Sequence, residues 1–260
     1  MENRLSKKFV IDENNVDLYA GKIAGWINER LLSAGMKGVV LGMSGGIDSS
    51  VVACLCKKAG VDIHLVMMPY GDDMLNSKSY AHSMELIDKF GLPYHVYDIK
   101  PAVDSLTVTG IIPGFEADES NIKLSQANIR PRIRMAYLYQ LAQMGNRFVA
   151  GTGNMAESTV GYFTKWGDGA CDFGPLAKLT KQEVYILARY LGVPDSIINK
   201  KPSAGLWDGQ TDEDELGMTY VQIDAFILKG SSGDEAVDRL IEKRIAMSTH
   251  KFDKIPVFEG

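Results

Sequence analysis

Residues 38–50 read GVVLGMSGGIDSS, an apolar run that ends in a loop of glycines and hydroxyls. The run at 39–43 predicts a buried strand, and the residues at 51–58 predict the helix that follows it. Two adjacent glycines let backbone N–H groups approach an anion closely, and the start of the helix turns its positive end towards the same point. The stretch therefore predicts a phosphate-binding loop at the end of a buried strand.

This loop is not a Walker loop, because no Lys-Ser or Lys-Thr pair follows its glycines. It carries Asp48 where a Walker loop carries its lysine. A carboxylate that faces a triphosphate is repelled unless a cation lies between the two. Asp48 therefore predicts a bound Mg²⁺.

Strand and helix patterns alternate through the first 150 residues. The strands are predicted at 39–43, 63–68, 94–99 and 147–151, and the helices at 17–32, 51–58, 77–90 and about 120–144. Pro131 predicts a kink or a fresh start within the last of these helices. The alternation predicts an α/β fold with a doubly wound, Rossmann-like parallel sheet, helices on both faces and the strand order 3-2-1-4.

The second half of the chain has a different pattern. Thr180-Lys-Gln-Glu183 is a capping box that begins a helix ending near Tyr190. Two further helices are predicted at 219–228 and 234–247, and irregular loops at 161–175 and 200–217. We expect a single domain over 1–260 with C-terminal helices.

Composition excludes several classes of protein. The chain has 260 residues, 45% of them apolar, and a formal net charge of −5, which argues against a nucleic-acid-binding surface. Its three cysteines form no CxxC motif, and a reducing cytosol is the simplest interpretation. No signal peptide or apolar stretch of about 20 residues is present. We expect a cytoplasmic protein without a membrane or nucleic-acid partner.

Several charged residues are candidates for chemistry. With the strand order 3-2-1-4, the loops after the first and fourth strands meet at the switch point, which brings Asp48 towards Glu157. Alone, Glu157 would be an ordinary first-turn carboxylate, but beside Asp48 the shared Mg²⁺ site is favoured. The basic group Arg130, Arg132 and Arg134 fits equally a solvated face or an anion site. Lys181 in the first turn of a helix opposes the helix dipole, which indicates that an anion lies near it.

The loop sequence Ser44-Gly-Gly-Ile-Asp-Ser49 resembles the SGGxDS loop of the ATP pyrophosphatase superfamily. Four later motifs narrow the resemblance to NAD synthetase. They are Gly151-Thr-Gly-Asn-Met-Ala-Glu157 with Gly161-Tyr-Phe-Thr-Lys-Trp-Gly-Asp-Gly169, Lys201-Pro-Ser-Ala-Gly-Leu-Trp207, and Asp214-Glu-Leu-Gly217. The resemblance runs from about Asp17 to His250-Lys251.

The resemblance implies ammonia-dependent amidation of deamido-NAD to NAD through an acyl-adenylate, with release of AMP and pyrophosphate and with ATP as co-substrate. It implies that ATP is bound by Gly42, Met43, Ser44, Gly45, Gly46, Ile47, Asp48, Ser49, Thr152, Lys181 and Ser203. It implies that deamido-NAD is bound by Arg132, Lys165, Asp172, His250 and Lys251. Asp48 and Glu157 would hold Mg²⁺, and Asp168, Asp48 and Lys181 would be catalytic. It also implies a homodimer.

Nothing in the chain corresponds to the glutaminase domain of glutamine-using relatives, which favours direct use of ammonia. Three alternatives stay open at this point: a GMP-synthetase-type amidating enzyme, a tRNA sulfur transferase, and a nucleotide sensor of the universal-stress type. The cysteine placement and the acidic charge oppose the sulfur transferase. A sensor would not need Asp48, Glu157 and the loop around Lys165 together.

Overall fold

A four-stranded parallel sheet in the order β3-β2-β1-β4 forms the centre of the fold. The computed structural model describes residues 7, 9–71, 75, 77–108, 114, 116, 118–202, 211–253 and 255–258. The strands are β1 (Val39–Gly42), β2 (Ile63–Met67), β3 (Tyr94–Val96) and β4 (Phe148–Val149). Val39 lies opposite Ile63 on one side and Phe148 on the other, so β1 is an inner strand. The order 3-2-1-4 that the sequence predicts is confirmed.

Helices surround this sheet, as the doubly wound pattern requires. They are α1 (Val16–Ala34), α2 (Ile47–Lys58), α3 (Lys78–Phe90), α4 (Lys100–Leu106), α5 (Glu119–Gly145), α6 (Met155–Val160), α7 (Lys181–Leu191), α8 (Asp195–Ile198), α9 (Asp212–Leu216), α10 (Tyr220–Lys229) and α11 (Glu235–Ser248), the last followed by a 3₁₀ turn at Thr249–Lys251.

Alternate residues of β1 enter different hydrophobic clusters, because successive side chains of a strand point to opposite faces. Val39 and Leu41 pack with α1, α2 and α7, whereas Val40 packs with α4 and α5. Helices therefore cover both faces, which explains why the strand reads as a continuous apolar run. A third cluster joins α6, α9, α10 and α11.

Several boundaries differ from the sequence prediction. The third strand ends at Val96 and the fourth at Val149, after which Ala150 makes an isolated bridge to Phe173. Pro131 starts no new helix, because it lies inside the continuous α5, where it is one of the buried residues. The loop predicted at 200–217 contains α9, which Thr211 caps by accepting a hydrogen bond from the backbone N–H of Asp214. Short helices of this kind depend on their caps and lack a long apolar period.

In the part of the chain that the structure describes, every helix falls short of the length or hydropathy that crossing a membrane requires.

Candidate active site

The loop at 44–50 leaves β1 and turns directly into α2, which begins at Ile47. Its hydroxyls hold its shape. Ser44 Oγ and Ser49 Oγ lie 3.0 Å apart, and Ser49 Oγ donates to the carbonyl oxygen of Gly46 at 3.1 Å. Gly45 has φ of +70°, and a Cβ there would lie 2.0 Å from the carbonyl oxygen of Ser79 in α3. Only glycine fits at this position, because the loop lies directly against the first turns of α3.

A charged centre, which we define as Asp48, Glu157 and Lys181 with Asn154, lies where the loops after β1 and β4 meet. Lys181 Nζ is 2.6 Å from Asp48 Oδ2 and 3.5 Å from Glu157 Oε1. Asn154 donates from Nδ2 to Asp48 Oδ1 at 2.9 Å. The side chain of Lys181 is 1% exposed, and the two carboxylates are each 18% exposed. The structure therefore brings together the residues that the sequence predicts for the switch point.

The electrostatics of this centre follow from burial and proximity. Burial raises the pKa of Glu157, the charge of Asp48 raises it further, and Lys181 offsets this only in part. For Lys181, burial acts to lower the pKa, but the charges of Asp48 and Glu157 outweigh it and the pKa is raised. Because burial and the charge of Asp48 favour the protonated form of Glu157, the charge of Lys181 is matched mainly by Asp48.

Asn154 and Glu157 share a capping box at the start of α6. Asn154 Oδ1 accepts from the backbone N–H of Glu157 at 3.0 Å, and Glu157 Oε2 accepts from the backbone N–H of Asn154 at 3.1 Å. Local sequence therefore orients Glu157, since a capping box needs only residues three apart. The same Asn154 then reaches Asp48 across the sheet end.

Lys181 is the first residue of α7, and buried carboxylates surround that end of the helix. Glu183 completes the predicted capping box with Thr180 and also pairs with Lys7 Nζ at 2.7 Å. Asp224 from α10 accepts from the backbone N–H of Lys181 at 3.1 Å and of Gln182 at 2.9 Å. The anion that the sequence predicts beside Lys181 is thus, in this structure, a set of protein carboxylates.

A second group, which we call the loop–tail cluster, consists of Arg132, Lys165, Asp168, His250 and Lys251. Lys251 Nζ donates to the carbonyl oxygen of Gly161 at 2.7 Å and of Phe163 at 2.6 Å. Lys165 Nζ donates to the carbonyl oxygen of His250 at 2.5 Å, and Arg132 Nε donates to that of Lys165 at 3.3 Å. Gly161 has φ of +66° and lies directly against Ser248, so the loop and the tail are in close contact.

Two aspartates of the loop have different surroundings. Asp168 is exposed as a residue, but its Oδ1 accepts from the backbone N–H of Thr164 at 2.9 Å, and desolvation by the surrounding loop raises its pKa. Asp172 lies beside β4, where its oxygens accept from the backbone N–H of Val149 at 2.7 Å and from Tyr139 Oη at 3.4 Å. Asp172 therefore links its loop to β4 and α5, in addition to its predicted contact with deamido-NAD.

The arginines of α5 separate as helical spacing predicts. Arg134 Nε donates to the carbonyl oxygen of Met68 at 3.0 Å, and Arg130 lies 4.0 Å from the centre of the Tyr70 ring. Burial lowers the pKa of Arg134 to about 10, and Arg130 contributes to the same direction. Arg132 alone joins the loop–tail cluster.

The remaining predicted residues lie at or near the phosphate-binding loop. Gly42 ends β1, and the side chains of Met43 and Ile47 are buried in the core, which leaves their backbone as the part able to meet a ligand. Thr152 is half-buried in the loop after β4. Ser203 lies outside the described residues.

Sequence reasoning predicted no contact with the charged centre for three residues that the structure places against it or within it. They are Asn154, Asp224 and Tyr220, whose ring lies 4.8 Å from Lys181 Nζ. The N-x-x-E capping pattern could have marked Asn154. The other two lie on α10, and nothing local in the sequence connects them with Lys181.

Comparison with known proteins identifies the family. The chain matches the NAD synthase family over residues 19–255. It belongs to the NAD synthase family. An NH(3)-dependent NAD(+) synthetase of Finegoldia magna is 44% identical over 87% of this chain and 89% of that protein.

Two solved structures share the NAD synthase fold of this chain over nearly its whole length. An NMN synthetase from Francisella tularensis has a TM-score of 0.84 and 35% identity, covering 94% of this chain and 99% of that one. An NH3-dependent NAD synthetase from Campylobacter jejuni has a TM-score of 0.74 and 29% identity, and the match covers 96% of this chain and 100% of that one.

Proposed function

We propose that this protein is an ammonia-dependent NAD synthetase, which amidates deamido-NAD at the expense of ATP. One observation carries the proposal beyond family membership. Three residues from separate segments of the chain meet at one ammonium, because Lys181 Nζ contacts both Asp48 and Glu157. This arrangement lies at the switch point beside a glycine-rich loop, the place where a doubly wound sheet binds nucleotides.

In the first proposed step, a carboxylate oxygen of the nicotinate attacks the α-phosphorus of ATP. A bond forms between that oxygen and phosphorus, the bond to the bridging oxygen breaks, and pyrophosphate leaves. The backbone N–H groups of the loop at 44–50 and the ammonium of Lys181 would hold the phosphates during the attack. Such a displacement needs positioning and charge stabilisation and no covalent bond to the protein.

Asp48 and Glu157 fit a magnesium site. Their carboxylate oxygens are hard ligands that both lie near one ammonium, and a bound cation would favour the ionised form of Glu157. Mg²⁺ usually takes one or two protein carboxylates and completes its shell with phosphate oxygens and water. When bound, it would neutralise phosphate charge.

In the second proposed step, ammonia attacks the acyl carbon of the adenylate, a C–N bond forms, and AMP leaves with the electron pair of the broken C–O bond. Asp168 would accept the proton that ammonium loses. Its raised pKa supports this role, since a carboxylate of higher pKa is a stronger base. Arg132, Lys165 and Lys251, each within the loop–tail cluster, would hold the anionic dinucleotide, with His250 and Asp172 as further contacts.

A mononucleotide substrate is the second candidate. The NMN synthetase from Francisella tularensis superposes more closely on this chain than the NAD synthetase from Campylobacter jejuni does. An enzyme that forms NMN would amidate the mononucleotide of nicotinate by the same two steps. The higher sequence identity to the Finegoldia magna protein favours the dinucleotide.

One assay separates these functions. The full chain is incubated with ATP, Mg²⁺ and ammonium, together with either deamido-NAD or nicotinate mononucleotide, and AMP and amidated product are measured. We expect equal amounts of AMP and NAD, and a kcat/KM for deamido-NAD that exceeds the value for the mononucleotide. A preference for the mononucleotide would instead establish the second candidate.

AMP release without either acceptor, or no turnover with both, would contradict the family chemistry for this chain. Glutamine in place of ammonium serves as a further arm. Turnover of this chain alone with glutamine would contradict direct use of ammonia.

We also propose a cytoplasmic homodimer built from this single domain. The helix α5 supports the dimer, because among its 27 residues only Pro131 and Ala142 are buried, while Ile122 and Leu124 are exposed. A second copy would cover such a face. Light scattering is expected to give twice the chain mass, and a mass equal to one chain would exclude the dimer.

A further inference from the structure

Lys181 carries a positive charge where both the helix dipole and burial disfavour one. It is the first residue of α7, where the helix dipole places positive charge, and its side chain is 1% exposed. An ammonium there loses hydration and is repelled by the helix end. Asp48 and Glu157 pair with its ammonium, but both belong to other segments of the chain. Further contacts from a third segment hold the residue itself.

The helix α10 supplies one such contact at the backbone. Asp224 is 3% exposed, and its two oxygens accept from the first two N–H groups of α7, those of Lys181 and Gln182. These N–H groups have no partner within their own helix. A carboxylate with both oxygens so engaged fixes the end of α7 and offsets its dipole.

The same helix supplies a second contact at the side chain. The ring of Tyr220 lies 4.8 Å from Lys181 Nζ, and Tyr220 is itself 4% exposed. Its hydroxyl donates to Asp212 Oδ2 at 2.9 Å, and the ring packs in the cluster of α6, α9, α10 and α11. Tyr220 and Asp224 are four residues apart and so share one face of α10. One helix face thus contacts both ends of Lys181.

We propose that Tyr220 and Asp224 are positioning residues that aim the ammonium of Lys181 at Asp48, Glu157 and the phosphates of ATP. This rests on the proposed function, in which Lys181 acts on ATP. The two residues act through Lys181 and do not themselves meet the reacting atoms. Through these two residues, α10 contributes to catalysis by orienting Lys181.

The experiment compares Tyr220→Leu, Tyr220→Phe and Asp224→Asn with wild type. Two quantities are measured. The first is kcat per ATP-binding site, with the sites counted by calorimetry. The second is the rate at which acetic anhydride acetylates Lys181, followed by peptide mass spectrometry.

We expect Tyr220→Leu and Asp224→Asn to lower kcat per site by roughly 10- to 100-fold, as loss of an orienting partner commonly does. We expect acetylation of Lys181 to become at least about tenfold faster, because its ammonium is no longer held. Tyr220→Phe keeps the ring and should retain kcat within about twofold of wild type.

Asp234→Asn is the matched control. Asp234 also accepts from two backbone N–H groups, those of Ala236 and Val237, but it caps α11, which carries no residue of the charged centre at that end. We expect it to leave kcat per site and Lys181 labelling unchanged.

The outcomes are distinct. If Tyr220→Leu and Asp224→Asn leave both quantities at wild-type values, or if Asp234→Asn moves them equally, the positioning role is overturned. Should Asp224→Asn fail to fold, the contrast between Tyr220→Leu and Tyr220→Phe decides. If wild type turns over neither acceptor, the proposed function fails, whereas the labelling of Lys181 still tests the positioning.

Discussion

The charged centre and the loop–tail cluster use lysine in opposite ways. In the centre, Lys181 is buried and pairs with two carboxylates from other segments. In the loop–tail cluster, Lys165 and Lys251 donate to main-chain carbonyl oxygens. A carbonyl accepts a hydrogen bond without neutralising the lysine. The charges of the first region are therefore paired with one another, whereas the second region carries a net positive charge.

This difference shows how one protein can offer separate regions to two anionic substrates. The centre offers carboxylates to a cation and an ammonium to phosphate, so its charges are already balanced against each other before ATP arrives. The loop–tail cluster holds the three cations Arg132, Lys165 and Lys251 against the one carboxylate of Asp168, and this positive balance suits the anionic dinucleotide. We expect substitutions in the centre to act on the chemical step and those in the loop–tail cluster to act on substrate binding.

The largest effect is expected from Asp48→Asn. This change removes the closest partner of Lys181 and one proposed metal ligand, so kcat should fall by about 10³-fold, as loss of a preorganised electrostatic partner does. Steady-state AMP release measures it. Asp62→Asn is the control, because Asp62 also pairs with a cation, Arg147, but at the distant start of the strands. Activity of Asp48→Asn above a tenth of wild type would remove the centre from the chemical step.

A smaller effect concerns pH and the stability of the centre. Burial raises the pKa of Asp224 to about 6 from an ordinary 3.8. The folded state therefore binds an extra proton between these values, so the contribution of Asp224 to stability is present below pH 4 and is lost as pH rises through 6. The unfolding free energy of wild type relative to Asp224→Asn should fall by about 3 kcal/mol across this window.

Urea denaturation of both proteins at pH 4, 5, 6 and 7 checks this expectation. Above pH 7 the difference between their unfolding free energies should no longer change with pH. A difference that is constant from pH 4 to 7 would mean that burial does not disfavour the charged form of Asp224. The Asp234→Asn variant again serves as the comparison.

The smallest effect is expected from Lys251→Met. Methionine keeps the apolar stem but removes the charge and the bonds to the carbonyl oxygens of Gly161 and Phe163. KM for deamido-NAD should rise about tenfold while kcat stays near wild type, because a charge-assisted contact is worth one to a few kcal/mol. Lys89→Met is the control, since Lys89 donates to the carbonyl oxygen of Gly192 away from both regions. An unchanged KM would contradict the expectation that the loop–tail cluster acts on substrate binding.

Much of the fold could be predicted because it depends on local pattern. The apolar run at 39–43 and the later apolar runs predicted the strands, the order 3-2-1-4 followed from the doubly wound pattern, and the capping box at Thr180 and Glu183 predicted the start of α7. Of the two predictions for Pro131, the fresh start was wrong, since the residue lies inside a continuous α5. The short helices α4, α6, α8 and α9 escaped prediction because their lengths show no clear hydrophobic period.

The candidate site was predictable as a set of residues but not as a set of contacts. Asp48, Glu157 and Lys181 stood out by type and position, and the switch point brought the first two together in the prediction. Their meeting at Lys181 Nζ, and the contacts of Asn154, Tyr220 and Asp224 with the same centre, could not be read from sequence.

By itself the sequence determined the strands, the glycine-rich loop, the helix caps and the family, since each depends on residues that lie close together along the chain. Only the tertiary structure decided which charges neutralise one another. Lys181 and Asp48 are 133 residues apart and Asn154 and Asp48 are 106 apart, yet each pair lies within 3 Å. Electrostatic pairing depends on distance in space, and that distance is set by how the sheet and helices pack.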